Sequence, residues 1–270
     1  MKIPRPKLNV IELAMWAAFI ATLGYMAGVA RTQERLRAFI SSDNVEAESL
    51  ARTYGPSHYS EHVEEWILKD FFKDRRDGVF VEVGANHHQR SSNTYYLEHA
   101  LGWSGVAIEP QVKFAAGYRE HRPRTTFVPL FISDVSNQSA VLYVADETDL
   151  VASGVREFTE LWGETTPTPA MTSTLDDVLD RLKIERIDFM SMDIELAEPQ
   201  ALAGFSIRRF NPELVAVEAH LPVRQQILDY FVQHNYVPVG RYWRADAHNV
   251  WFAPVGKAGR SGSAIALDSH

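Results

Sequence analysis

Cysteine is absent from the 270 residues. That excludes disulfides, thiolate metal sites and a cysteine nucleophile, though it leaves the compartment open. Basic charge is scarce in most of the chain. Of 27 Lys and Arg against 35 Asp and Glu, residues 1–37 hold six bases (Lys2, Arg5, Lys7, Arg31, Arg35, Arg37) and two acids (Glu12, Glu34). The remainder therefore carries 21 bases against 33 acids, a balance of −12. So acidic a surface argues against nucleic acid as a partner, because neutralising phosphates needs a basic face. Glycine is also thin where a dinucleotide would need it. The turn after the buried run Val79–Val83 offers Gly84 alone, followed by His87, His88 and Gln89. A pyrophosphate needs several backbone amides at close approach. A single glycine suits a smaller ligand without phosphate.

Long apolar runs are lacking everywhere except near the start. Leu13 to Ala30 carries no charge, and Leu8 to Ile11 extends it with only Glu12 inside. About twenty residues cover a bilayer core of roughly 30 Å, so one transmembrane helix is expected, with residues 8–30 contacting lipid. Glu12 falls near an interface, where an ionised group is less costly. Gly24 and Gly28 share a GxxxG spacing that suits close approach of a partner helix. A cleaved signal peptide competes with this reading, since Gly28-Val29-Ala30 is a small-x-small site. The length of the run favours a retained single-pass anchor. Bases flank both ends, so orientation leans only slightly to a cytoplasmic N-terminus and a non-cytoplasmic domain.

The remaining sequence alternates strand-like and helical patterns. Apolar residues Val63, Trp66, Ile67, Phe71 and Phe72 recur at helical spacing. Residues 79–83 read as a buried strand, 95–101 as a helix and 105–108 as a second strand ending on Glu109-Pro110. Helix 112–121, strand 126–130, helix 175–182 with Thr174 as N-cap, strand 187–192, a helix around 199–203 and strand 214–217 follow. Residues 236–241 and 249–253 suggest a terminal antiparallel hairpin. The pattern implies an α/β fold with a doubly wound parallel sheet. Four regions are expected: an anchor over 1–30, a juxtamembrane helix and tether over 31–60, a catalytic-type domain over 61–255 and a flexible tail over 256–270.

Within that domain, Phe80 to Asn86, Ser92 to Glu98, Gly102-Trp103-Ser104-Gly105 and Ile108-Glu109-Pro110 resemble the FkbM family of methyltransferases. Thr174 to Leu179, Ile187 to Glu195, Ala197-Glu198 and Leu214 to Glu218 continue the likeness. The resemblance implies a Rossmann-like class I fold and an S-adenosylmethionine-dependent O-methyltransferase acting on a hydroxyl-bearing acceptor. It places Glu82, Gly84 and Asn86 at the methionine end of the cofactor, Glu109 on the ribose hydroxyls and Asp134 near the adenine. A carboxylate at a strand tip suits ribose on physical grounds as well.

Asp193 and Glu195 are expected to supply the base that takes the hydroxyl proton, with His88 and His220 as further candidates. No metal is expected, because the pairs His87/His88 and Glu218/His220 fix no third ligand by spacing. The sequence departs from the family at Leu196, where the pattern Asp-x-Glu-Gly-x-Glu has glycine. Leucine there implies a rebuilt loop or an obstructed pocket. It also supports a second reading, a lapsed fold that serves as a docking subunit of a bacterial membrane protein complex.

Overall fold

Strand β1 (Val79–Val83) is β-branched or aromatic at every position but Glu82, and is buried on both faces. Such a strand belongs in the interior of a parallel sheet. In the computed structural model, which describes residues 44–56, 59–148 and 151–257, β1 pairs in parallel with β2 (Ser104–Ile108) and β8 (Phe189–Met192). β3 (Thr125–Val128) adds beyond β2, and β9 (Leu214–Glu218) beyond β8. The chain divides into units Met1–Asn44 and Val45–His270, and every described element belongs to the second. The expected anchor over 1–30 and the tail beyond 257 lie outside the described residues. No helix among the described residues is long and apolar enough to cross a membrane.

The full sheet has seven strands in the order β10-β11-β9-β8-β1-β2-β3. Its last two members are β10 (Tyr236–Pro238) and β11 (Asn249–Pro254). β11 runs antiparallel to both β9 and β10, so the expected antiparallel pair is present. It is not a simple hairpin: a helix over Gly240–Ala245 connects the strands, and Gly240 and Arg241 belong to that helix.

Side chains alternate across the sheet. Val81, Val83, Met190, Val215 and Val217 point to one face. There they meet helices α6 (Leu175–Arg181), α7 (Glu198–Ala203) and α9 (Leu221–Gln233) through Leu175, Leu179, Leu202 and Phe231. Phe80, Phe189, Leu214 and Trp251 point to the other. They meet α1 (Val45–Tyr54), α2 (Glu64–Phe72), α3 (Tyr95–Leu101) and the helix α10 over Gly240–Ala245. The result is three layers with a core on each side of the sheet.

Helix α1 corrects the expected tether. Leu50 is fully buried against that second core, so residues 45–54 are part of the domain. Residues 112–121 divide into a 3₁₀ turn at Val112–Phe114 and helix α4 (Ala115–His121). Thr174 caps α6 as expected, its hydroxyl accepting from Asp177 N at 3.1 Å.

Between β3 and α6 the chain builds a four-stranded sheet that the sequence reading did not foresee. Its strands are β4 (Phe131–Ile132), β5 (Ser139–Ala145), β6 (Ala152–Ser153) and β7 (Thr165–Ser173), in the order β4-β7-β5-β6. A short helix, α5 (Arg156–Thr159), precedes β7, and helix α8 (Ile207–Phe210) precedes β9. Pro167 and Pro169 argue against a strand over 165–173. They fit because Thr172 N donates to Gln138 O. By alternation, even-numbered residues of β7 bond to β5, while the prolines occupy positions that need no donor to it.

Candidate functional site

A cleft with about 850 Å³ of free space opens at the carboxyl ends of β1, β2 and β8, where open parallel sheets place their ligands. Its floor is the turn after β1. Gly84 N and Ala85 N both donate to Ile108 O, at 2.9 and 3.1 Å. Gly84 has φ +80°, and a Cβ there would stand 1.7 Å from the carbonyl oxygen of Asp193. The turn therefore requires glycine both for conformation and for its approach to the loop after β8.

Glu109 forms the β2 side of the cleft. Its Oε1 accepts from Gln111 N at 2.9 Å, and its Oε2 from Asn86 N at 3.3 Å. Asn86 itself holds φ +47°. Burial raises the pKa of Glu109, opposed by those two amides. An ionised carboxylate has about four lone-pair sites. Two backbone donors and the Gln111 side chain leave capacity for a further hydroxyl. Leu130, Phe131 and Ile132 line an apolar wall beside it, joined by Leu142 and Ala152 from the four-stranded sheet. Arg90 and Glu61 add charge to the lining.

The β8 side carries the acids. Asp193 N donates to Val83 O at 2.9 Å, which fixes the loop to β1. Its side chain remains open to water in the cleft. Protein atoms nevertheless crowd it from the other sides; this crowding, then the neighbouring Glu218 carboxylate, pushes its pKa well up. Glu195 and Leu196 adopt φ +55° and +79°. This double left-handed turn is clamped from outside the main sheet, where Ser153 Oγ donates to Glu195 O at 2.5 Å.

Glu195 Oε2 lies 3.0 Å from His220 Nε2, and Glu218 Oε2 lies 2.9 Å from the same nitrogen. Burial alone would lower the His220 pKa, but the two carboxylates drive it up to about 10. At neutral pH His220 is an imidazolium held by acids. It is not a free base.

The structure thus brings Gly84, Asn86, Glu109, Asp193 and Glu195 to one cleft, with His220 bonded to its edge. Three expected residues are elsewhere. Glu82 is 4% exposed and does not line the cleft. It accepts from Thr94 Oγ1 at 2.6 Å and Asn93 N at 2.8 Å. Strand alternation sends it to the face opposite Val81 and Val83, so its hydrogen bonds hold the segment leading into α3. Asp134 is exposed and bonded by Ser133 and Gln200; it lines a neighbouring groove with Leu196. His88 stacks between His87 and His121 and packs against Gly117, outside the lining of the cleft.

Leu196 does not obstruct the cleft. It lies on the neighbouring groove, and the loop keeps the left-handed turn that glycine would take without strain. The sequence reading missed Ser153, Leu142 and Ala152 because the strands that deliver them were unforeseen. The apolar pair Phe131-Ile132 before Ser133-Asp134 was the signal available for the wall.

Against this geometry stands a sequence match. The family profile described as Methyltransferase FkbM domain covers residues 82–238, more than half of the chain. The chain belongs to the FkbM methyltransferase family. Its matched span runs from Glu82 on β1 to the end of β10, and so includes every residue of the acid cluster. No curated protein matches the chain. Among solved structures, a precorrin-6y C5,15-methyltransferase from Geobacter metallireducens GS-15 matches at 11% identity and TM-score 0.39, covering 65% of this chain and 71% of that one. A likeness at that level carries no argument about function.

Proposed function

We propose that this FkbM family member is an S-adenosylmethionine-dependent O-methyltransferase for a hydroxyl-bearing acceptor, anchored in a membrane by residues 8–30. The observation that carries the cofactor assignment is Glu109, a buried carboxylate at the tip of β2 with hydrogen-bonding capacity facing the cleft. It would hold the ribose hydroxyls. The backbone at Gly84 and Asn86 would face the methionine end, Arg90 would attract its carboxylate, and Leu130, Phe131 and Ile132 would flank the adenine. When bound, S-adenosylmethionine supplies an electrophilic methyl group on a positively charged sulfur. The protein's own work is orientation and proton removal. Asp193, open to the cleft, takes the hydroxyl proton of the acceptor. Glu195, tied to His220 and to Ser153, keeps the loop that carries Asp193 in place.

The docking-subunit reading draws on the GxxxG spacing, on the orientation lean and on Leu196. With Leu196 on the neighbouring groove, nothing at the cleft favours it.

Calorimetry tests the assignment. The chain should bind S-adenosylmethionine, and Glu109→Ala should weaken that binding by about tenfold or more, since hydrogen bonds to a charged group contribute about 1.5–3 kcal/mol. Absence of binding at millimolar cofactor would refute it.

A further inference from the structure

We propose that Glu195, Glu218 and His220 form a binding site for a divalent first-row transition cation at the edge of the cleft. One atom from each, Glu195 Oε2, Glu218 Oε2 and His220 Nε2, lie within 4.8 Å of one another. The two nitrogen–oxygen separations are 3.0 and 2.9 Å. Ligand atoms about 2.0–2.2 Å from an ion and at right angles to each other stand about 3 Å apart. These two separations match the edges of such a coordination shell.

Hydrogen bonding does not account for the cluster. His220 Nε2 carries at most one hydrogen, shared with Glu195 in good geometry, and a cation would displace that hydrogen to take the nitrogen's lone pair. Glu218 Oε2 is buried and has no hydrogen-bond partner, although it touches the same nitrogen. Glu198 is fully buried nearby. One of its oxygens accepts from Ile194 N at 3.0 Å, and the other has no partner. Glu195, Glu198 and Glu218 thus set three largely buried carboxyl groups against one imidazole. Unpaired buried negative charge is costly, and a dication offsets it.

The donor set selects the metal class. One imidazole with carboxylates suits manganese, iron or zinc, whereas magnesium and calcium favour oxygen alone. The ligands come from separate segments: Glu195 from the loop after β8, and Glu218 with His220 from the end of β9. Ser153 holds the first of these loops in position. Asp193, beside Glu218, lines the cleft together with Glu195. An ion here would lie next to the acceptor. Its use in catalysis rests on the methyltransferase reading, whereas its binding does not.

The test uses the full chain stripped with a chelator and titrated with Mn²⁺, reading free ion by electron paramagnetic resonance. One ion per chain is expected, with His220→Ala and Glu218→Gln each weakening binding about tenfold or more. Circular dichroism establishes that both variants fold. In the unmutated chain, Mn²⁺ should broaden the His220 imidazole resonances beyond detection. No bound ion at millimolar Mn²⁺, undiminished binding by both variants, or sharp His220 lines at saturation would each overturn the site. A chain that binds Mn²⁺ but not S-adenosylmethionine keeps this site and loses the methyltransferase reading.

Discussion

At Leu196 the backbone sits at φ +79°, where a Cβ costs about 1–2 kcal/mol. The loop accepts that strain because its neighbours are fixed: Asp193 N on Val83 O, Ile194 N on Glu198, and Glu195 O on Ser153. Truncating a half-buried leucine ordinarily destabilises. Here Leu196→Gly should hold or raise the melting temperature, because relief of strain offsets the lost contacts. A fall of several degrees would show that the groove contacts dominate.

Glu64 stores a different kind of tension. Burial, then Asp246, pushes its pKa to about 8, and it accepts from His62 N at 2.8 Å and Asn249 Nδ2 at 3.3 Å. Folding therefore favours its protonated form. That contribution is fully present below the unfolded pKa of about 4.5 and is lost as pH rises through about 8. Denaturant titrations across this range should show Glu64→Gln flattening the loss of stability with pH. A parallel loss in both proteins would show that other groups cause it.

Among elements, β6 matters more than its two residues suggest. Ser153 is fully buried; its hydroxyl accepts from Val155 N at 2.9 Å and donates to Glu195 O. Ser153→Ala leaves the part-buried Glu195 carbonyl and Val155 amide without that partner, at about 1 kcal/mol. Its effect should appear in melting temperature and turnover, with cofactor affinity preserved. Weakened cofactor affinity at unchanged turnover would contradict the role given to this strand.

The central elements were legible because each carries its own period. Residues 79–83 and 214–217 read as buried strands, and Thr174 announced α6 by its capping chemistry. Gly84 and Glu109 were legible for the same reason: one glycine and one acid stand where a strand ends. The four-stranded sheet was not, because β4 and β6 have two residues each and β7 contains two prolines. Their pairing is fixed by partners distant in sequence. Glu82 and Asp134 were misplaced because sequence distance from a glycine does not reveal which face of a sheet a side chain takes. The contacts of His220 with Glu195 needed the fold, since 25 residues separate them.

For the whole molecule, the proposed anchor has a direct consequence. If residues 8–30 span a bilayer, the full chain should sediment with membranes and resist extraction by alkaline carbonate. Release into the supernatant would count decisively against the anchor. A reporter fused after His270 then reads the side of the domain. A cytoplasmic signal would reverse the slight lean given by the flanking bases and would favour access to a cytoplasmic methyl donor.

The order of the main sheet also bears on how the protein is made. β11, the last strand among the described residues, is seated between β9 and β10. During synthesis β9 therefore emerges with one edge open, and β10 has no neighbour until residues 249–254 leave the ribosome. Open edges of that kind are sites of mispairing. Val250, Trp251 and Phe252 close the gap and bury themselves in the same step. A ribosome that stalls before Asn249 would leave a chain with both acid-bearing loops formed in sequence but the sheet beside them unsealed. Such a chain would be a natural target for chaperones and proteases.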